Sequence, residues 1–558
     1  MTKTLIRRGR VVDGSGSVSG IADVGVEGDR IVAVGPGLSV TAADCVIDAR
    51  DRIVTPGFID IHSHYDAQVL WDPTLSSSCH HGVTTVVNGN CGFSLAPLPA
   101  SRRTLVLEML RDLEDMPIET LDVSVPREIA TFSEYLRTVR EREPLVNFAS
   151  FIGHSTIRLA VMGAEAFGRE ATGDEVAQMQ SLVRGALEAG AVGLATKTLP
   201  GSRPSPSQFA STAETEALLQ TLGRGGTGIA MFNPGGNFGL ERLYEAQPRI
   251  GLPFTWIALL AMPDGSHRDR LAYHASEFAR GAEVYPQVSP RPLVGACRMA
   301  MPSIFRAECV TELNALQLEG RMRLFAEPDW RDRFRREARI VGGAAVPWSD
   351  VVIRESPSSA HLVGVTLAEA GRASGRHPTD VLLDLAGADG AQTRVELTYG
   401  NSDPEEVSRL LNGPGCVLGL SDAGAHPSQM CDAVLPTALL GSWVRDRRAL
   451  SLEKAIEKLT SEPARLFGFP DRGLLRQGYF ADLVILDSTC VDPGPVRSVR
   501  DLPADGERMV ADRPIGIDMV MVNGQVVRRE KALTTGRRPG RVLSPQRVHS
   551  RGSRRRDG

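Results

Sequence analysis

Apolar and polar positions alternate with period two in short runs at both ends of the chain, while the middle mixes longer apolar runs with helical spacing. At the start, Leu5–Val12, Val24–Val26, Arg30–Val34 and Cys45–Asp48 read as short strands. They are separated by Asp13-Gly14-Ser15-Gly16 and Glu27-Gly28-Asp29 turns. Near the other end, Asp482–Asp487 and Asp518–Val522 predict further strands, and Asn523-Gly524 before Gln525–Arg528 signals a hairpin. Neither end has enough strands to bury a sheet face alone. The two termini, residues 1–55 and 471–530, are therefore expected to pair into one small β-sandwich.

Between them, strand-like runs alternate with helical patterns, as in a parallel sheet covered by helices. The runs are Ile53–Ile61, Val83–Val87, Val146–Ile152, Ala191–Ala195, Gly228–Phe232, Phe254–Leu259, Ala282–Val288 and Val417–Leu420, eight in all. Eight is the count of a (β/α)8 barrel, here predicted over residues 56–470. Arg103–Leu113, Asp174–Ala189 with Gly190 at its end, and Thr215–Leu222 read as amphipathic covering helices. Residues 289–413 exceed a simple connection and carry helical patterns of their own at Trp330–Arg339 and Pro378–Leu385. They predict an inserted subdomain over the barrel mouth.

Composition narrows the class. At 558 residues, with 42% hydrophobic and 23% charged, the bulk of the chain is globular rather than disordered or fibrous. No stretch approaches the roughly 20 apolar residues of a membrane span, and the basic first ten residues lack an apolar signal core, so no membrane partner is expected. Eight cysteines without CxxC pairs point to free thiols in a reducing compartment, best matched by the cytoplasm. Net charge is −4, but residues 536–558 carry eight arginines against one aspartate, or +7, which leaves −11 on the body. Such a tail buries too little to order itself and is expected to be a disordered, solvated extension. With aromatics at 5% and no basic stripe interleaved with them, no nucleic-acid partner is expected. A homo-oligomeric state stays open.

The sharpest local signal is Gly57-Phe58-Ile59-Asp60-Ile61-His62-Ser63-His64, an apolar strand ending in His-x-His. Residues two apart on a strand face the same side, so His62 and His64 can address one metal ion at the strand's C-terminal end. That end of a barrel is where active sites lie. No dinucleotide fingerprint, P-loop or nucleophile elbow competes with this reading.

PGFIDIHSH after an N-terminal strand cluster resembles the amidohydrolase superfamily, and more closely its D-aminoacylase branch, the N-acyl-D-amino-acid deacylases. Gly82-Val83-Thr84-Thr85 leading to Asn88-Gly89-Asn90-Cys91-Gly92, Gly153-His154-Ser155 with Arg158, Gly193-Leu194-Ala195-Thr196 and Ser421-Asp422-Ala423-Gly424-Ala425-His426 fit that branch. So do Gly473-Leu474 to Val484 and Val522-Asn523-Gly524, so that the likeness spans about residues 4–530. The resemblance implies zinc held by His62, His64, Cys91 and Asp422, with Asp422 also moving protons as general base and acid. It implies that the loop with His154 and Arg158 lines the pocket, where His154 either meets substrate or is satisfied within the barrel mouth. Tyr285 and Ser289 fall near the family's substrate-contacting positions. His426 either orients Asp422 or is structural, and His80 and His81 are read as structural.

The chain also departs from that pattern. The fifth and sixth strands run into Asn233-Pro234 and Leu260-Ala261 where the branch supplies further histidines. One zinc is therefore expected, with a second left open. Lys197, at the end of the fourth strand, is either carboxylated and metal-bridging or, with Arg203, an anion receptor. Pro427–Asp432 lacks the branch's carboxylate-binding arginine. The favoured reading is a metal-dependent hydrolase of a small-molecule amide, an N-acyl-D-amino acid or related N-acyl compound. A specialised cyclic amide, imide or lactam at a reduced one-metal site is the alternative within enzymes, and a non-catalytic ligand-binding relative is the alternative outside them.

Overall fold

A computed structural model describes residues 3–39, 43–200, 204–300, 302–340, 344–534 and 536–546. The run predicted over Ile53–Ile61 breaks at Gly57 into two strands that serve different sheets. Ile53–Pro56 pairs antiparallel with Leu483–Leu486, whereas β1 (Phe58–Asp60) pairs in parallel with β2 (Val83–Asn88). A Cβ at position 57 would stand 2.1 Å from Thr84 Oγ1, so the crossing between sheets requires glycine.

Both termini build one nine-stranded sheet. Lys3–Val11, Gly20–Glu27, Arg30–Gly35, Cys45–Asp48 and Ile53–Pro56 join Leu483–Leu486, Ile517–Val522, Gln525–Arg529 and Ala532–Leu533. Alternate side chains of this sheet, Ile6, Val24, Ile31, Leu483 and Met521 among them, form a separate core. Asn523 and Gly524 both take positive φ, 45° and 76°, as a tight two-residue hairpin demands.

The central strands are all parallel and follow chain order. β1 and β2 are followed by β3 (Asn147–Ser150). After Phe151 come β4 (Ile152–Gly153), β5 (Gly193–Lys197), β6 (Ile229–Asn233), β7 (Phe254–Trp256), β8 (Val284–Val288) and β9 (Val417–Leu418). β1–β3 form one sheet and β4–β9 another. A parallel bridge between Ser63 and Ala423 links the segments that follow β1 and β9. Ile59, Val87, Ala149, Ala195, Met231 and Val417 share one buried cluster, and helices such as Gly173–Ala189 follow the strands. That helix opens on a reciprocal Thr172/Glu175 capping box and closes at Gly190 with φ 111°.

Within 289–413, Leu293–Arg298, Val351–Glu355 and Arg394–Gly400 form a three-stranded antiparallel sheet. Its core is its own, built on Phe305, Trp330, Phe334, Leu382 and Val395. The molecule is thus a mixed α/β protein. The tail reading needs correction over residues 536–546, which pack on the body rather than floating free. Phe148 N–H donates to Arg541 O (2.8 Å), Leu543 N–H to Phe148 O (2.8 Å) and Gln546 N–H to Gly468 O (2.9 Å). Backbone pairing orders this stretch although few of its side chains are apolar. The remaining tail, 547–558, lies outside the described residues. No helix among the described residues is long and apolar enough to cross a membrane.

Candidate metal centre

The segment after β1 is held from both sides: Ser63 N–H donates to Val87 O (3.0 Å) and His64 N–H to Ala423 O (2.7 Å). This clamping turns both imidazoles toward the strand-end loops that carry Cys91 and Asp422. His62 Nε2 lies 3.0 Å from Asp422 Oδ1 and 3.6 Å from Cys91 Sγ, and His64 Nε2 lies 3.7 Å from the same Oδ1. Donor atoms of His62, His64 and Cys91 all fall within 4.8 Å of one another. Two nitrogens, a sulfur and a carboxylate oxygen are ligands that zinc takes in fours, so the residues present fit that ion.

The backbone is bent to bring them together. Cys91 and Asp422 take φ of 56° and 41°, in the left-handed region that side chains with a Cβ rarely occupy. Such residues cost of order 1–3 kcal/mol and persist where their surroundings over-determine them. Here Asn90 Nδ2 donates to Val87 O (2.9 Å), and Ser421 Oγ lies 2.5 Å from Asp60 Oδ2 and 2.7 Å from the His62 carbonyl. Gly424 completes the loop, since a Cβ there would sit 2.8 Å from the His64 carbonyl.

Charge couples the four groups. Burial opposes the charged form of His62, but the Cys91 thiolate and the Asp422 carboxylate outweigh it and raise the imidazole to about 10. His64 is raised well above the ordinary value against burial, chiefly by Glu114 and then by Asp422 and Cys91. Burial pushes the Cys91 thiol up, yet the two histidines bring it below its ordinary value, and they hold Asp422 well below the carboxylate range in the same way. Without metal, then, protons on the imidazoles balance the thiolate and the carboxylate. A cation of higher charge can replace those protons.

Of the other residues singled out, His154 and Arg158 are fully buried at the start of the helix His154–Met162 and meet Glu214. His154 Nδ1 lies 2.8 Å from Thr196 Oγ1 and Nε2 lies 2.9 Å from Glu214 Oε1. Arg158 bonds Glu214 and donates to Arg169 O (2.7 Å). Lys197 ends β5 with its ammonium 5.4 Å from the centre of the Phe93 ring. Arg203 lies outside the described residues. Ser289 follows β8, and its Oγ accepts from Arg291 N–H (3.2 Å). Tyr285 sits at the other end of β8, against a cavity shared with Gly228, Pro253, Val417 and Gly468, away from the donor set.

Three residues that sequence reasoning passed over touch these groups. Gln287 Oε1 accepts from His62 Nδ1 (2.8 Å), Glu114 Oε2 lies 3.3 Å from His64 Nδ1, and Glu214 anchors His154 and Arg158. A glutamine inside an apolar strand and a glutamate three residues after the helix-capping Ser211 were the available signals. A cavity opens beside Asp422, walled by Tyr65, Gln68, Met116, Met430, Asp432 and Met509.

Comparison with known proteins fits this geometry. The amidohydrolase family profile matches residues 45–528. The D-aminoacylase of Alcaligenes xylosoxydans xylosoxydans is 30% identical over 552 residues, covering 97% of each chain. A solved D-aminoacylase, described by one-metal activation and second-metal attenuation of its binuclear centre, is 28% identical with a TM-score of 0.68 over 97% of this chain and 99% of that one. The N-acyl-D-glutamate deacylase of Bordetella bronchiseptica, solved with zinc and a phosphonate mimic of the tetrahedral intermediate, is 27% identical with a TM-score of 0.66 over the same shares. The chain belongs to the amidohydrolase family, in its D-aminoacylase branch.

Proposed function

We propose that the chain is a zinc-dependent hydrolase that deacylates N-acyl-D-amino acids or related N-acyl compounds. The observation that carries this reading is that His62, His64, Cys91 and Asp422 converge, while Asp422 also borders the adjoining cavity. One zinc ion is assigned to the set, because β6 and β7 end in Asn233 and Trp256 rather than in further histidines. Zinc held by His62, His64 and Cys91, with Asp422 as a fourth ligand exchangeable for water or an amide carbonyl, would supply Lewis acidity toward both. Asp422 is 23% exposed where His62 is fully buried, so its carboxylate can exchange protons with a molecule in the cavity. It takes a proton from the attacking water and returns one to the leaving nitrogen. The C–N bond breaks, one water is consumed, and a carboxylic acid and a free amine leave. Lys197 and Ser289 flank the substrate from the ends of β5 and β8, and His154 and Arg158 brace the floor beneath them.

The two parallel sheets are read as one closed (β/α)8 barrel, a reading supported by the Ser63–Ala423 bridge and the shared inner core. The terminal sheet is read as a β-sandwich folded around its own core. The 289–413 insertion is read as a cover over the mouth, because Arg298 and Arg394 meet Glu507 on the hairpin formed by Arg497–Leu502 and Gly506–Val510, whose Arg508 and Met509 wall the cavity. Eight free cysteines suit a reducing compartment such as the cytoplasm.

The test is amine release by zinc-loaded protein from paired N-acetyl-D- and N-acetyl-L-amino acids, alongside metal analysis. Turnover confined to the D series is expected, and Asp422→Asn is expected to lower kcat by about 10²–10⁴-fold with the fold intact. Failure to release amine from any N-acyl-D-amino acid at full zinc occupancy would sink the reading.

A further inference from the structure

We infer that Gln287 and Glu114 are positioning residues that hold the two histidines of the donor set from behind, through unlike chemistry. The inference rests on the zinc reading above. On the His62 side, direction follows from one hydrogen-bond chain. Thr255 Oγ1 donates to the Tyr285 carbonyl (2.8 Å), which leaves it to accept from Gln287 Nε2 (3.2 Å). Gln287 must therefore present its amide oxygen to His62 Nδ1, 2.8 Å away. That acceptor fixes the proton on Nδ1 and leaves the Nε2 lone pair facing Cys91 and Asp422. Position 419 makes room for the amide, since a Cβ there would stand 2.3 Å from Gln287 Oε1.

On the His64 side the partner is a charge. Glu114, the last residue of the helix Arg103–Glu114, is 4% exposed and His64 is 8% exposed. Glu114 Oε2 and His64 Nδ1 lie 3.3 Å apart as an ion pair, and neither atom has a hydrogen-bond partner. A buried donor and a buried acceptor that both lack an alternative are costly unless they satisfy each other. An ionised carboxylate only accepts, so the proton again belongs on Nδ1 and Nε2 again faces the donor set. Glu114 also takes His426 N–H on its carbonyl (2.7 Å), and Asp115 Oδ2 lies 2.5 Å from Ser428 Oγ, so the same helix end grips the loop that carries Asp422.

The asymmetry has a consequence. A carboxylate behind an imidazole makes it a stronger electron donor than an amide does, so His64 owes part of its ligand strength to the charge of Glu114. His62 owes its orientation to Gln287 with no added charge.

The experiment measures zinc affinity of the purified full-length protein against a chromophoric chelator, together with the visible spectrum of the cobalt-loaded form. Glu114→Ala and Gln287→Leu are each expected to weaken zinc by about 10–100-fold. Glu114→Gln is expected to recover part of that loss, because its amide oxygen still accepts from Nδ1, while its cobalt spectrum stays shifted because the charge is gone. A merely structural role would leave that spectrum unmoved in a variant whose metal-free thermal unfolding matches wild type. Should Glu114→Ala fail to fold, the near-isosteric Glu114→Gln decides by the same two readouts. Wild-type affinity and spectrum in both Glu114→Gln and Gln287→Leu would overturn the inference alone. A wild-type chain that binds no zinc would overturn the zinc reading and this inference together.

Discussion

Two histidine clusters lie buried at the strand ends, and they differ in what their polar atoms have left to do. In the His154 cluster both ring nitrogens are engaged, by Thr196 and Glu214, and the Glu214 carboxylate is matched by the Arg158 guanidinium. In the His62 cluster the Nε2 atoms of two histidines, a thiol and a carboxylate oxygen all point at one another within a few ångströms. In the first set both imidazole nitrogens and the carboxylate are engaged, and only Arg158 Nε is left buried without a partner. The second is a set of electron-pair donors that only protons or a metal ion can reconcile. A histidine at the end of a barrel strand is therefore no functional marker by itself; whether its second nitrogen is spoken for decides.

The largest effect that separates the two clusters comes from emptying the donor set. The His62→Ala/His64→Ala double variant is expected to lose both bound metal and all amine release while keeping the circular dichroism of the folded chain. Metal analysis of the purified variant checks it, and a full complement of tightly held zinc would mean that the ligands lie elsewhere. Next comes the opposite phenotype. Glu214→Ala leaves Arg158 and His154 buried without their anion, and losing one partner of a buried pair costs about 3–5 kcal/mol. The melting temperature is expected to fall steeply while zinc stoichiometry in the folded fraction stays at the wild-type level. Loss of zinc without loss of stability would erase the distinction between the clusters.

How much of this was legible in the sequence follows the same divide. His62 and His64 could be read because period two on a strand puts both rings on one face, and Cys91 and Asp422 because their loops carry the branch's motifs. Gln287 and Tyr285 show where that legibility ends. They too share a face of β8, but two residues span roughly 7 Å of strand, which puts Gln287 beside His62 and Tyr285 near the far end. Periodicity gives the face and not the depth. Glu114 and Glu214 come from helices, where a glutamate reads as a solvated residue or a cap until packing shows what covers it. The break at Gly57 was hidden because one apolar run can serve two sheets without any change of pattern.

The smallest and most discriminating effect is the pH dependence of the metal-free protein. His62 is raised from 6.5 to about 10 in the fold, so the stability that its proton confers is complete below 6.5 and is lost as pH rises toward 10. Glu214 is lowered despite burial, by His154 and Arg158, so its contribution is complete above the ordinary carboxylate range and is lost as pH falls through its folded value. Asp422, held well below that range, adds to the acid side. Each proton contributes a slope of at most about 1.4 kcal/mol per pH unit, which denaturant unfolding across a pH series can resolve. The double histidine variant is expected to lose the alkaline limb, and Glu214→Ala to lose part of the acid limb while keeping the alkaline one. Zinc affinity should rise over the same alkaline window in which metal-free stability falls, because the protons that hold the empty cluster together are those the metal displaces. An alkaline limb that survives in the double variant would show that the charge balance at His62 is not what stabilises the empty site.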